Sequence, residues 1–179
     1  MPTSTSRTTS WNGWVEAVTR VLGIDPGTTV TGWGVVEPNG AGFRHVAHGS
    51  IRTSADTPLP VRLHKIFAGL VEVIRLHRPQ EASIEEVFVS VNAQSALKLG
   101  HARGCAIVAV ASHGLPVFEY GALQIKKATV GFGKAEKHQV QAMVKLLLAL
   151  PEPPPKDAAD ALAGALCHLQ HTSGSRRPS

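Results

Sequence analysis

The sequence is poor in the features that staple small extracellular proteins or carry proteins into membranes. Only two cysteines occur, Cys105 and Cys167, each in an apolar stretch of small residues. Two thiols in such settings argue against a disulfide framework and favour buried free cysteines in a reducing compartment. No segment approaches the roughly 20 consecutive apolar residues that a bilayer-spanning helix needs, and no signal-type apolar run follows the first ten residues. We therefore expect a cytoplasmic protein without membrane attachment.

Acidic residues are also scarce relative to basic ones. The chain has 13 acids against 18 lysines and arginines, for a net charge of +5 and a pI near 9.6. This balance favours a polyanionic partner without proving one. Much of the excess lies between residues 121 and 145, which hold Lys126, Lys127, Lys134, Lys137 and Lys145 against a single acid. Such a segment is either a solvated helix face or a phosphate-contacting surface, and a nearby active site would favour the second.

Length and composition predict one globular domain. The 179 residues are 43% hydrophobic, which is enough to bury a core without disulfides. Both ends of the sequence are rich in small polar residues. We expect flexible tails at residues 1–18 and 171–179 around a single folded domain at 19–170. His168 and His171, near the second boundary, are expected to be frayed or solvated, and no histidine is assigned a role.

Hydrophobic periodicity and turn residues predict ten elements. Strands are expected at 21–25, 30–37, 43–53, 82–89 and 115–120, with a hairpin turn at Asn39-Gly40. Helices are expected at 60–77, 92–112, from 121 to a glycine break at 131–133, at 135–150, and from 156 onward. The order βββαβαβααα predicts an α/β fold in which a mixed sheet carries helices on both faces.

Several carboxylates stand at the ends of these elements in otherwise apolar surroundings. Asp25 ends the strand VLGID, and Glu85 and Glu86 lie in the strand SIEEVF. Asp157 and Asp160 are three residues apart at the start of the last helix, so they project from one face. Because acids are rarely buried unless they are paired or bind metal, these positions are candidate metal ligands.

Each of these acids also has a structural interpretation. Asp25 precedes a Pro-Gly pair and can initiate a turn. Strand alternation lets either Glu85 or Glu86 face solvent, so the pattern does not choose between them. Asp157 and Asp160 can stabilise the helix dipole by roughly 0.3–1 kcal/mol each. As a group, however, oxygen ligands suit Mg²⁺ or Mn²⁺, and two such ions can activate water and stabilise the leaving oxygen of a phosphodiester.

Four segments carry a resemblance to a known family: GIDPGTTVTGWGVV, IEEVFVSVNAQSALKLGHARG, LPVFEYGALQIKKATVGFGKAEKHQV and KDAADALA. In this order they resemble the RuvC family of bacterial Holliday-junction resolvases over residues 21–168. The resemblance implies an RNase H-like fold with a five-stranded mixed sheet flanked by helices on both faces. It also implies a homodimer that cuts four-way junction DNA by paired symmetric nicks and works with a RuvA-RuvB branch-migration complex.

The same resemblance assigns the metal-binding carboxylates. Asp25, Glu85, Asp157 and Asp160 match the family's catalytic acids, which selects Glu85 over Glu86. The resemblance implies two Mg²⁺ ions per active site, for which Mn²⁺ can substitute. It further implies hydrolysis without a covalent intermediate, leaving 5′-phosphate and 3′-hydroxyl ends.

Other matched residues imply contacts with DNA or with a second subunit. Phe88 matches an aromatic side chain that stacks on bases near the junction centre. Lys126 and Lys137 match lysines near the scissile phosphate, whereas Lys127 and Lys134 are weaker candidates. Segment 92–112 resembles the family's dimer helix, and its apolar residues extend beyond one stripe, which agrees with burial against a partner.

Three other functional classes fit the sequence less well. GIDPGTT also resembles the phosphate loop of actin-like and sugar-kinase ATPases, but those proteins need two such domains and this chain is too short. An RNA-processing nuclease of the same fold fits less well than the RuvC family to the NAQSALKLGHARG and AEKHQV segments. A non-enzymatic DNA-binding module would lack one or more acids, and all four are present here.

Overall fold

The fold is built on a five-stranded mixed sheet. The computed structural model describes residues 19–86 and 93–175, with side chains up to residue 172. Within this part of the chain the strand order is β3-β2-β1-β4-β5. β1 pairs antiparallel with β2 and parallel with β4, while β2–β3 are antiparallel and β4–β5 parallel. The strands are β1 Val21–Asp25, β2 Val30–Asn39, β3 Gly42–Arg52, β4 Glu81–Glu85 and β5 Val117–Tyr120.

Helices cover both faces of the sheet, as expected. They are α1 Leu59–His77, α2 Ala93–Ala111, α3 Ala122–Val130, α4 Lys137–Leu147 and α5 Lys156–Ser175. One buried cluster joins α1 and α2 to the sheet through residues such as Leu22, Ile66 and Ala106. The other joins α3, α4 and α5 to the opposite face through Val21, Val140 and Leu166. Val21 and Leu22 therefore enter different cores, because successive side chains of a strand alternate between faces.

Helix α5 packs unusually close to the sheet. It contacts all five strands and is buried along nearly its whole length up to Leu169. A Cβ atom added to Gly23 of β1 would collide with the backbone of Ala161, and one added to Gly32 of β2 would collide with the backbone of Asp157. Glycine inside a strand lowers its stability but allows another backbone to approach. These two glycines allow the start of α5 to lie directly on the sheet.

The structure corrects several predicted boundaries. β4 ends at Glu85 rather than reaching residue 89, and positions 87–92 lie outside the described residues. β5 starts at Val117 instead of residue 115, and α4 spans Lys137–Leu147 instead of 135–150. α1 and the first two strands lie within two residues of their predicted bounds.

The predicted end of the folded domain at Gln170 is also too early. α5 continues to Ser175, and within this extension the hydroxyl of Thr172 donates to the carbonyl of His168 at 3.1 Å. His168 itself is fully buried, so the expectation of a frayed or solvated side chain is wrong. Its hydrogen-bond partners lie far away along the sequence, which is why the local polar composition was misleading.

Both cysteines are free, with Cys167 buried and Cys105 half-buried. Among the helices of the described residues, none combines the length and apolarity needed to cross a membrane.

Candidate active site

Four acidic residues meet at one end of the sheet because of its topology. β1 and β4 are parallel neighbours, so Asp25 and Glu85, their last residues, lie side by side at the same edge. The first turn of α5 covers this edge and brings Asp157 and Asp160 to it. Gly32, which pairs with Asp25, is the residue that the Asp157 backbone approaches. The structure thus brings together all four acids that the sequence singled out.

The charges of these acids are poorly compensated. Burial, followed by the neighbouring carboxylates of Asp160, Glu85 and Asp157, raises the pKa of Asp25 from its usual 3.8 to about 7. Burial and the Asp160 carboxylate also raise the pKa of Glu85, and burial raises that of Asp160. Moving a charged carboxylate out of water and placing others beside it both disfavour ionisation. The site therefore holds more negative charge than its surroundings stabilise.

Two of the predicted lysines provide partial compensation. The Nζ atom of Lys137, at the start of α4, lies 3.5 Å from Oδ2 of Asp160. This ammonium lowers the pKa of Asp25, Glu85 and Asp160 and opposes the larger effect of burial. Lys126 of α3 is half-buried and acts in the same direction on Glu85 and Asp160. Both lysines therefore belong to the acidic site rather than to a separate solvated face.

A cleft opens over the acids. One cavity of about 370 Å³ is lined by Asp25, Pro26, Glu85, Glu86, Leu99, Ala122, Lys137 and Asp160. An adjoining cavity of about 240 Å³ shares Glu85, Lys137 and Asp160 and adds Lys126. Glu86 is exposed at the rim, whereas Glu85 is half-buried beside Asp160. This geometry favours Glu85 over Glu86 as the functional acid, the choice that strand alternation alone left open.

The donor set fits a hard divalent cation in its chemistry. Carboxylate oxygens are the ligands that Mg²⁺ and Mn²⁺ prefer, and Asp25 is held in a setting where a cation would stabilise its charged form. Across residues 19–86 and 93–175, no three acidic, histidine or cysteine side chains converge closely enough to hold one ion together. Asp25, Glu85 and Asp160 line a common cleft while their oxygens stand apart, as mutual repulsion favours.

The remaining predicted contacts are distributed differently. Phe88 lies outside the described residues and stays a prediction. Lys134 is exposed, and Lys127 lines a separate cavity with Gln170 and His171. Neither lysine therefore lies at the acidic cleft, and both of them were also weaker candidates for DNA contact from the sequence.

Two features of the site region were missed from the sequence. Gly23 and Gly32 are strand-interior glycines, and that pattern could have indicated the close approach of α5. The buried contacts of His168 with Glu81 and Tyr120 had no local signal, because the three residues lie on three separate elements.

Comparisons with known proteins find relatives that match most of the chain. The family described as crossover junction endodeoxyribonuclease RuvC matches residues 21–168, a range that includes all four acids. A protein of that description from Magnetococcus marinus is 58% identical over 150 residues, covering 84% of this chain and 83% of the relative. Another from Geobacter sulfurreducens is 56% identical over 149 residues, covering 83% of this chain and 91% of the relative.

Solved structures show the same architecture. RuvC of Thermus thermophilus, in complex with a Holliday junction substrate, matches with a TM-score of 0.83 and 39% identity over 88% of this chain and 96% of that one. The yeast mitochondrial Holliday junction resolvase matches with a TM-score of 0.61 over 88% of this chain and 83% of its own. At 11% identity the yeast protein supports the fold alone. The expected RNase H-like fold is confirmed.

Proposed function

Because the chain belongs to the RuvC family of crossover junction endodeoxyribonucleases, we propose that it resolves Holliday junctions by paired, symmetric nicks during DNA recombination and repair. The observation that carries the proposal is the meeting of Asp25, Glu85 and Asp160 in one cleft beside the Lys137 amine. A cleft of this composition suits a phosphodiester, because cations are needed to bring a phosphate to a cluster of carboxylates.

The four acids would hold two Mg²⁺ ions, with Mn²⁺ as a substitute. When bound, the ions supply an activated water and stabilise the leaving oxygen, which yields 5′-phosphate and 3′-hydroxyl ends. Asp25 and Glu85 provide ligands from the rigid sheet, and Asp157 and Asp160 provide them from α5. Metal binding to these groups would also offset the burial and the repulsion that together raise the pKa of Asp25.

The lysines would act on the substrate rather than on the cations. Lys137 and Lys126 line the cleft from α4 and α3, next to Glu85 and Asp160. In that position their ammonium groups can contact the phosphate next to the scissile bond and stabilise charge that develops during cleavage. Phe88, which follows Glu85 by three residues, would stack on a base near the junction centre.

Paired nicks require two active sites, and α2 offers a surface for a second copy. Its buried side chains, which include Ala102, Ala106 and Val110, pack within the subunit. Leu97 and Val108 on the same helix are 63% and 58% exposed. We propose that this face forms the homodimer interface, because exposed apolar residues on a long helix are typical of subunit contacts. A dimer in sedimentation analysis that Leu97→Glu dissociates would support the assignment.

The cellular setting follows from the same proposal. A resolvase of this kind would act in the cytoplasm, where the chromosome is, and would receive its junctions from a RuvA-RuvB branch-migration complex. Co-sedimentation with that complex on a four-way junction would test the partnership, and the absence of a joint species would contradict it.

The function is tested by offering several nucleic acids to the purified protein. A mobile synthetic four-way junction, a linear duplex and an RNA hairpin are each incubated with Mg²⁺, Mn²⁺ or EDTA. The proposal predicts metal-dependent nicks in two strands of the junction alone, and the products should be sealed by a ligase. Preferential cutting of RNA, or tight junction binding without cutting under either metal, would contradict it.

A further inference from the structure

A buried polar cluster lies at the end of β4 opposite the active site. His168 of α5 is fully buried, and its Nε2 atom lies 2.6 Å from Oε2 of Glu81 on β4. Its Nδ1 atom lies 2.8 Å from the hydroxyl of Tyr120 on β5. The ring of Phe118, also on β5, packs against the imidazole at a centroid distance of 4.3 Å. We call His168, Glu81 and Tyr120 the His168 cluster, and it connects α5 to two strands at once.

The cluster and the active site occupy matching positions along α5 and β4. Helix residues four apart lie over strand residues two apart, and the facing pairs are His168 with Glu81, Gly164 with Ser83, and Asp160 with Glu85. Eight residues of helix rise about 12 Å, and four residues of strand span about 13 Å. α5 and β4 therefore run antiparallel and advance by nearly the same distance from one facing pair to the next. The His168 cluster lies at one end of this contact and the acidic cleft at the other.

Between these ends, α5 and β4 meet through small residues, and the buried Ser83 hydroxyl has no hydrogen-bond partner in the described part of the chain. A Cβ at Gly164 would stand 3.3 Å from the Ser83 hydroxyl, and one at Gly23 would collide with the backbone of Ala161. The middle of the α5–β4 contact is therefore held by close packing, which is non-directional. The hydrogen bonds of His168, by contrast, are directional and constrain position along the strand.

Tyr120 links the cluster directly to the strand position of a catalytic acid. It pairs with Glu85 in the β4–β5 ladder, and its carbonyl accepts a hydrogen bond from the backbone N–H of Glu86. A side chain that holds the Tyr120 hydroxyl therefore contacts the residue next to Glu85 across the sheet. The cluster thus constrains both the helix that carries Asp160 and the strand pair that carries Glu85.

We propose that His168 is a positioning residue, which fixes the register of α5 on β4 so that Asp157 and Asp160 stay opposed to Asp25 and Glu85. This inference rests on the proposed function, since it assigns the four acids to metal binding. Displacement of a ligand by about 1 Å can cost on the order of 10²-fold in rate. The loss of His168 should therefore weaken metal binding and cleavage, while DNA binding through residues outside α5, such as Lys126 and Lys137, is retained.

The test compares His168→Leu with two related variants and one control. Leucine fills much of the space but removes both hydrogen bonds, whereas His168→Gln retains polar groups that can replace them. Tyr120→Phe deletes a single hydroxyl and serves as a milder variant if the leucine variant does not fold. Leu70→Ala is the control, because Leu70 is fully buried in the core on the opposite face of the sheet from α5. Its truncation should lower the stability of the fold without changing the contacts of α5.

Three quantities are measured for each variant. They are Mn²⁺ affinity without DNA by calorimetry, the Mn²⁺ concentration for half-maximal junction cleavage, and the junction Kd in EDTA. For His168→Leu we expect Mn²⁺ affinity to fall about tenfold, the lower end of the range for residues that orient metal ligands. The half-maximal concentration should rise in parallel, with Kd unchanged. Tyr120→Phe should show a smaller shift in the same direction, and His168→Gln should recover most of the affinity.

The inference is overturned if His168→Leu, or Tyr120→Phe where the leucine variant does not fold, binds Mn²⁺ like the wild type. It is also overturned if Leu70→Ala weakens Mn²⁺ binding equally, since the effect would then be general destabilisation. If the wild type cuts no junction, the proposed function fails, and the calorimetric comparison still decides the positioning role.

Discussion

Two carboxylates of the same sheet lie in opposite electrostatic environments. Glu37 on β2 has a side chain only 3% exposed, and it forms ion pairs with Arg20 at 2.8 Å and with Arg44. Asp25 on β1 is half-buried among three other acids, and burial and their charges raise its pKa to about 7. The fold can therefore neutralise a buried carboxylate with guanidinium groups. At the cleft no described arginine pairs with Asp25, and the proposed function assigns the unmet negative charge there to the binding of cations.

The largest effect is expected from removing the Asp25 charge. Asp25→Asn keeps the side-chain volume but deletes a metal ligand, so junction cleavage should fall by at least about 10³-fold, as when one member of a concerted catalytic group is lost. Junction binding in EDTA should stay measurable. Rates of single-turnover cleavage and gel-shift titrations provide the comparison. Retained cleavage would remove Asp25 from the mechanism.

A matched pair of neighbouring acids sharpens the same test. Glu85→Gln should reduce cleavage to a similar extent, whereas Glu86→Gln should retain most of it, because Glu86 is exposed at the rim of the cleft. Equal losses in the two variants would contradict the assignment of Glu85 alone.

The pH dependence of stability should reveal the raised pKa of Asp25. Its carboxyl titrates near 3.8 when unfolded and near 7 when folded, so the folded protein binds the extra proton between these values. Without divalent cations, the free energy of unfolding should therefore fall as pH rises from about 4 to 7, by at most about 4 kcal/mol. Urea unfolding in EDTA at several pH values measures this slope. Asp25→Asn should reduce the slope of the free energy of unfolding against pH. The same slope in the variant and the wild type would refute the raised pKa of Asp25.

The two carboxylates should also respond oppositely to neutralisation. At pH 8 in EDTA, Glu37→Gln should lower the free energy of unfolding by about 2 kcal/mol, because charge-assisted hydrogen bonds to two arginines are lost. Asp25→Asn should raise it, since burial and repulsion no longer oppose a neutral amide. Denaturant titrations measure the free energy of unfolding of both variants. If both are less stable than the wild type, the two carboxylates do not differ in the proposed way.

The smallest effect concerns the lysine that partly neutralises the cleft. Lys137→Ala should slow cutting by about tenfold and flatten the plot of log affinity against log salt by about 0.9, the loss of one phosphate contact. Lys127→Ala is the control, because Lys127 lies outside the cleft. Binding titrations at several salt concentrations test the pair. A Lys137 variant that matches the wild type in both measurements would exclude the phosphate role.

The sequence predicted the architecture well because the determining signals are local. The apolar run of β1, the turn at Asn39-Gly40 and the periodicity of α1 each depend on residues close together in the chain. A mixed sheet with helices on both faces then follows from general rules of chain connection.

The site was only partly predictable from the residues themselves. The spacing of Asp157 and Asp160 indicated one helix face, but the choice of Glu85 over Glu86 needed the family resemblance. The environment of His168 could not be predicted, because its partners Glu81 and Tyr120 come near it only through the sheet pairing and the crossing of α5. The stacking role of Phe88 stays a prediction.

The position of α5 in the chain has a consequence for how the enzyme is made. Asp25 is translated well before Asp157 and Asp160, which belong to α5, the helix that contacts every strand of the sheet. A growing chain on the ribosome can pair its first strands but cannot complete the acid cluster until α5 emerges and docks. Nascent chains and fragments that stop before this helix should therefore be harmless to the chromosome, so the nuclease becomes active only once its fold is complete.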